Sequence, residues 1–193
     1  MGREFELKYS ATEQIQDAVA EKYGDFHSIT METTYFDTLG GDLAAQRITL
    51  RRRMENGVSV CTVKTPLPDG GKGEWEICWQ EPATMVEELC KQGAPQQLLA
   101  WTKNGIVPIC GARFTRRAKT IELPGGSVEL ALDRGILLGG DRQEALCELE
   151  VELKSGEDRV ALDFAAQIAE EFNLQPEPRS KFRRAQLLAK GEK

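Results

Sequence analysis

Between Leu146 and Lys154 the chain reads LCELEVELK, with Glu148, Glu150 and Glu152 at alternate positions and Leu149, Val151 and Leu153 between them. Period-two alternation sends successive side chains to opposite faces of a β-strand. The stretch therefore predicts a strand with one acidic face and one apolar face. The pattern recurs in Arg3–Tyr9 (REFELKY), where Glu4, Glu6 and Lys8 oppose Phe5, Leu7 and Tyr9. In Ser127–Asp133 (SVELALD), Glu129 and Asp133 share a face with Ala131 between them. Like charges on one face repel, and solvated surfaces ordinarily mix the two signs. Hard divalent cations, which take oxygen ligands, would stabilise such carboxylates.

Basic strands supply the complement. Ile48–Met54 (ITLRRRM) puts Arg51 and Arg53 on one face and Arg52 on the other, and Val58–Pro66 (VSVCTVKTP) carries Lys64 near its end. A turn at Asp69-Gly70-Gly71 leads into Gly73–Trp79, where Glu74 and Glu76 alternate with Trp75 and Ile77, so the pair predicts a hairpin. Thr30–Thr38, Gly111–Leu123 (with Arg116) and a short Gly135–Leu138 complete the strands. Helices are predicted over about 11–23, capped by Ser10 with Glu13; from Thr84 to about Gln92; over Pro95–Trp101; over about 157–173; and around 181–189. No repeat or linker interrupts residues 1–193, which predicts one domain.

Arg51 and Arg53 share one strand while Lys64 and Arg116 lie on two others, so these groups converge only if the strands curl round a common interior. About eight strands suffice to close a ligand-sized barrel. The expected fold is α+β: an eight-stranded antiparallel β-barrel with a charged interior, its outward apolar faces covered by helices. Arg forks match phosphate oxygens, and the carboxylates match a metal, so the interior suits metal and polyphosphate together.

Composition excludes several alternatives. With 40% hydrophobic and 29% charged residues the chain is neither collagenous nor wholly disordered. No apolar run reaches the roughly 18 residues of a membrane span, and MGREFELKYS is no secretory signal. The 5 cysteines show no CxxC spacing, which points to reduced thiols and a cytoplasmic setting. His27 is the single histidine, too few for a multi-His zinc site. A net charge of −6 argues against general nucleic-acid binding. Tyr35 reads as a sheet tyrosine, or as an aid to proton transfer near Lys64.

Glu4-Phe5-Glu6-Leu7-Lys8 resembles the ExExK signature of the CYTH, or triphosphate tunnel metalloenzyme, superfamily. Further similarities follow in order: Tyr35-Phe36-Asp37-Thr38, Leu50–Arg53 as LRxR, Thr62-Val63-Lys64, Lys72-x-Glu74-x-Glu76, Glu129 and Asp133, Glu148–Leu153, and Ser180-Lys181. The stretches ELALDRG and CELEVELKSG are most similar to the inorganic triphosphatase branch. Some members of that branch carry a C-terminal helical CHAD domain; this chain reads as a stand-alone or truncated form.

The resemblance implies a tunnel that holds a triphosphate and one or two divalent metals, Mg2+ or Mn2+. It implies Glu4, Glu6, Glu150 and Glu152 as metal ligands. Asp133, Glu74 and Glu76 would serve a second ion or orient the attacking water. Lys8, Arg51, Arg53, Lys64, Arg116 and Lys181 would grip phosphate, with Arg184 and Lys119 as lesser members. Glu6, Lys8, Lys64 and Glu76 stand nearest the chemistry, and Glu148 near the mouth. Arg113, Arg117 and Arg52 are expected to face away. The implied reaction is hydrolysis of tripolyphosphate to pyrophosphate and phosphate, with no nucleic-acid or membrane partner. Nucleoside- or thiamine-triphosphate processing, or polyphosphate sensing without catalysis, are the alternatives.

Overall fold

The computed structural model describes residues 2–3, 5–67 and 72–192, the side chains of Gly2 and Arg3 excepted. The strands are β1 (Gly2–Arg3), β2 (Glu6–Ser10), β3 (His27–Asp37), β4 (Thr49–Glu55), β5 (Val58–Pro66), β6 (Lys72–Cys78), β7 (Val107–Leu123), β8 (Gly126–Gly139), β9 (Arg142–Ser155) and β10 (Gln175–Pro176). They form one antiparallel row in the order β1-β6-β5-β4-β3-β7-β8-β9-β2-β10. Leaving out the two-residue pieces β1 and β10, the long strands number the eight expected.

Closure differs from a continuous barrel ladder, because no described pairing joins β6 directly to β9. One N-terminal segment serves both flanks instead. Gly2 stands opposite Glu74 of β6, and Glu6 stands opposite Glu152 of β9. Gly2 and Glu6 are four residues apart, a span of at most about 14 Å, so this segment draws the flanks together and the sheet curls round an interior. The expected turn at Asp69-Gly70-Gly71 lies outside the described residues, as does Glu4.

Helices α1 (Glu13–Tyr23) and α5 (Asp158–Glu171) cover the outer face of β2, β8 and β9. Val19, Phe164, Ala165 and Ile168 pack there on Leu130, Leu132, Leu149 and Val151. On the other flank, α2 (Asp42–Ala45), α3 (Met85–Lys91) and α4 (Gln97–Trp101) cover Leu50, Cys61, Val63 and Trp75. Each fully buried aliphatic side chain of this kind contributes roughly 1.5–3 kcal/mol.

Several local expectations are corrected. Thr12, not Ser10, caps α1, accepting from the Ile15 N–H; Ser10 belongs to β2. Thr84 gives α3 no side-chain cap, because its hydroxyl accepts from the Trp79 indole N–H. The four-residue α2 was not anticipated. The buried Asp37 carboxylate organises it, accepting from the Leu43 and Ala44 N–H groups. Ser127–Asp133 and Gly135–Leu138 are one strand, β8. Gly135 marks a close approach rather than a break, since a Cβ there would lie 2.1 Å from the Arg113 carbonyl.

Nor is the interior uniformly charged. Met31, Ala112, Phe114, Leu137 and Leu146 form an apolar layer with Ala185 of the C-terminal helix α6 (Lys181–Lys190). Ser180 caps α6 by accepting from the Arg183 N–H. The helix stoppers one part of the interior and brings Lys181, in its first turn, to the charged part.

Candidate active site

A cavity of about 610 Å³ occupies the charged part of the interior, within the usual range for small-molecule sites. Strand pairing explains its composition, because residues opposite each other on neighbouring strands share a face. Across β2, β9 and β8 the rows read Glu6–Glu152–Glu129, then Lys8–Glu150–Ala131, then Ser10–Glu148–Asp133. Arg116 of β7 extends the last row beside Asp133. The opposite wall comes from β3 to β6, where Tyr35 stands opposite Arg51 and Lys64 opposite Glu74.

The deepest charges are mutually satisfied. Lys181 Nζ lies 2.8 Å from Asp133 Oδ2, 2.7 Å from Glu148 Oε2 and 2.6 Å from Glu150 Oε1. Arg116 grips Asp133 in bidentate fashion at 2.8 Å and also pairs with Glu150. Arg184 Nη1 holds the second oxygen of Glu148 at 2.5 Å. Asp133, Glu148 and Glu150 are all buried, so their cost of desolvation must be met by these pairings. Burial works to raise the Glu150 pKa, but Lys181 and then Arg116 outweigh it and hold the carboxyl well below the usual range. Burial likewise opposes the Lys181 ammonium, and Asp133, Glu150 and Glu148 raise it well above an ordinary lysine. Lys8 is also raised, Glu6 outweighing its desolvation.

An acid-stability result follows. A carboxyl with a folded pKa depressed below its unfolded value of 4.5 contributes stability above that value and loses it as pH falls. Urea unfolding of the wild-type protein is expected to weaken below about pH 4.5, more steeply than in Glu150→Gln, by roughly one proton's worth or about 1.4 kcal/mol per pH unit. Equal slopes for the two proteins would contradict the pairing.

The three buried carboxylates offer oxygens within 4.8 Å of one another, close enough for a metal ion. The Lys181 ammonium already sits among them. Two rows along from Asp133 and Glu148, Glu6, Glu152 and Glu129 stand side by side: Lys8 pairs with Glu6 at 3.0 Å, Lys154 with Glu152 at 3.1 Å, and Arg116 lies 3.9 Å from Glu129. This all-carboxylate, part-exposed donor set fits a hard divalent cation.

The basic wall is less well satisfied. Arg51 Nε is buried with no hydrogen-bond partner among the described residues, and its Nη2 lies 3.8 Å from Glu74 Oε1. Burial and then the neighbouring Arg51 depress Arg53 below an ordinary guanidinium, although Arg53 pairs with Glu55. Two part-buried guanidinium groups that repel each other favour an anion beside them.

The cavity brings together Glu6, Lys8, Arg51, Arg53, Lys64, Glu74, Glu76, Arg116, Glu150, Glu152 and Lys181. Asp133 and Arg184 stand behind its wall, Arg184 bridging Glu148 and Glu144. Glu148 is fully buried beneath Lys181 instead of lying near a mouth. Lys119 is on the outer face, donating to the Tyr23 and Gly24 carbonyls at the end of α1. Arg113 and Arg117 pair outside with Glu32 and Asp17. Lys154 lines the cavity and was missed, although its parity matches Glu150 and Glu152. Thr33, Thr49 and Phe182 were missed too, for want of a charge signal.

A curled antiparallel sheet with basic and acidic walls facing one interior defines a cupped β-protein with a charged internal cavity. Residues 2–185 match the CYTH domain family, and the chain belongs to it. A curated relative, an inorganic triphosphatase of Haemophilus influenzae, is 26% identical over 97% of this chain. The chain spans about half the length of that relative, 55%. Solved structures share the fold. A Hippeastrum protein described as an adenylyl cyclase candidate with a dominant triphosphatase activity aligns at TM-score 0.65 and 18% identity, covering 100% of this chain and 97% of its own. A protein from Pyrococcus horikoshii aligns at TM-score 0.64 and 24% identity, covering 94% and 97%. Among the described residues no helix is long and apolar enough to cross a membrane.

Proposed function

We propose that residues 1–193 act as one tunnel unit that hydrolyses inorganic tripolyphosphate to pyrophosphate and phosphate with Mg2+ or Mn2+. The observation that carries the reading is the basic wall, on which the Arg51 guanidinium lines the cavity with a buried N–H that has no acceptor among the described residues. Among the described residues, eight basic and five acidic side chains line the cavity in a chain whose net charge is −6. An excess of cations inside an acidic protein supports an anionic ligand. The inorganic triphosphatase relative supports the choice of that anion.

In this reading Arg51, Arg53, Lys64 and Lys8 bind the non-bridging oxygens of the chain, while Arg116 and Lys181 hold it from the floor. Glu6, Glu150 and Glu152, with Glu4, would hold the metal. When bound, the ion would neutralise phosphoryl oxygens and lower the barrier electrostatically. Glu76 and Glu74 face the phosphate path from the basic wall. Glu76 accepts a hydrogen bond from Thr62 at 3.1 Å, which orients its carboxylate to hold an attacking water. Burial raises the Tyr35 hydroxyl's pKa, partly offset by Arg51, so at neutral pH it stays protonated and can donate to a phosphate oxygen.

A substrate panel tests the proposal. Purified protein is expected to release phosphate from tripolyphosphate with Mg2+ or Mn2+, to turn over ATP and thiamine triphosphate more slowly, and to stop with EDTA. Absence of phosphate release with either metal, in folded protein, would overturn the reading. Preferred turnover of ATP, with cyclic AMP formed, would move it to a cyclase.

A further inference from the structure

Helix α1 packs on the outer face of the sheet through Val19, Ile15, Ala20 and Tyr23, yet the same face buries the amide Gln16 completely. A buried amide is costly unless both its ends are bonded. Gln16 Nε2 donates to the carbonyls of Asp133 at 2.9 Å and Glu148 at 2.8 Å. Its Oε1 accepts from Arg134 Nε at 3.0 Å, and Arg134 in turn donates to the Glu13 carbonyl and to Asp17. Asp133 and Glu148 stand directly opposite each other in β8 and β9. Their side chains leave through the inner face, where both hold the Lys181 ammonium.

We infer that Gln16 is a positioning residue for the anion site, clamping from outside the two backbones whose carboxylates place Lys181. Packing alone does not call for it, since an apolar side chain of the same length would suit the surrounding cluster. One amide ties two adjacent strands at the row that supports the ammonium, so a shift in either backbone moves Lys181 in the cavity. Gln16 touches no substrate and acts through Lys181. The inference rests on the proposed binding of tripolyphosphate at that site.

A double-mutant cycle separates positioning from general support. Tripolyphosphate binding is measured by calorimetry in EDTA for wild type, Gln16→Met, Lys181→Met and the double variant. Gln16→Met is expected to weaken binding about tenfold in the wild-type background, and by less than twofold once Lys181 is gone. An equal loss in both backgrounds, or no loss in the first, overturns the inference. Should Lys181→Met not fold, Lys181→Gln replaces it, because it removes the same ammonium while keeping a polar group among Asp133, Glu148 and Glu150. The same cycle read as urea midpoints needs no ligand. If wild type binds no tripolyphosphate, the functional reading fails, while non-additive midpoints support the clamp and additive ones overturn it.

Discussion

Lys181→Met is expected to lower the free energy of unfolding by about 3–5 kcal/mol, the usual cost of removing one partner from a buried ion network. Three buried carboxylates, Asp133, Glu148 and Glu150, would keep Arg116 and Arg184 as their ion-pair partners among the described residues, with Lys8 acting on Glu150 from the neighbouring strand. The apolar thioether matches the lysine stem in length, so packing of α6 on the interior layer is conserved and the loss reports charge. Urea unfolding at pH 7 measures it. The deficit should shrink as pH falls toward 4, because a carboxyl freed of Lys181 takes up a proton more readily. A deficit below about 1 kcal/mol would show that the cage contributes no more than a surface pair. Phosphate release should fall with it, since the same ammonium would hold the substrate from the floor.

Arg51→Ala is expected to weaken tripolyphosphate binding by about 10- to 100-fold, the loss of hydrogen bonds to a charged group at roughly 1.5–3 kcal/mol. Its stability should be unchanged or slightly higher, because Arg51 and Arg53 repel each other and, among the described residues, Arg51 Nε has no hydrogen-bond partner and Glu74 lies 3.8 Å from its Nη2. The neighbouring Arg52→Ala should change binding less than twofold. Arg52 stands opposite Cys61, which packs in the outer core. Calorimetric titration of the three proteins checks both statements, and equal losses for Arg51→Ala and Arg52→Ala would invert the strand's facing.

That parity was legible because alternation is a local rule. REFELKY, ITLRRRM and LCELEVELK each assign inner and outer faces without reference to the rest of the chain. The assignment brings Glu6, Lys8, Arg51, Arg53, Glu150 and Glu152 to one cavity. Lys119 shows where parity was misapplied: three residues from Arg116, it falls on the opposite face and caps α1. Glycine was the other weak signal. In Gly135 the same residue type that marks turns elsewhere permits a close strand crossing inside a fourteen-residue strand.

Burial of charge was harder to read. Sequence distinguishes Glu148 from Glu150 only by two positions, and both alternate inward. Their separation into a fully buried support and a cavity-lining group depends on where α6 begins, since Lys181 and Arg184 reach from its first turn onto β9. Gln16 left a faint local trace, a polar residue within an apolar helical stripe. Its partners are carbonyls more than a hundred residues away, which no periodicity records.

The sequence by itself determined the strands, their two faces and the kinds of charge each face carries, because side-chain direction in a strand follows from backbone geometry two residues at a time. Tertiary structure alone decided which charges neutralise one another and which remain to meet a ligand. Coulomb energy depends on distance and local dielectric, and both are set by strands and helices far apart in the chain. The N-terminal segment spanning β6 and β9, the apolar layer under α6 and the Lys181 cage all belong to that second class.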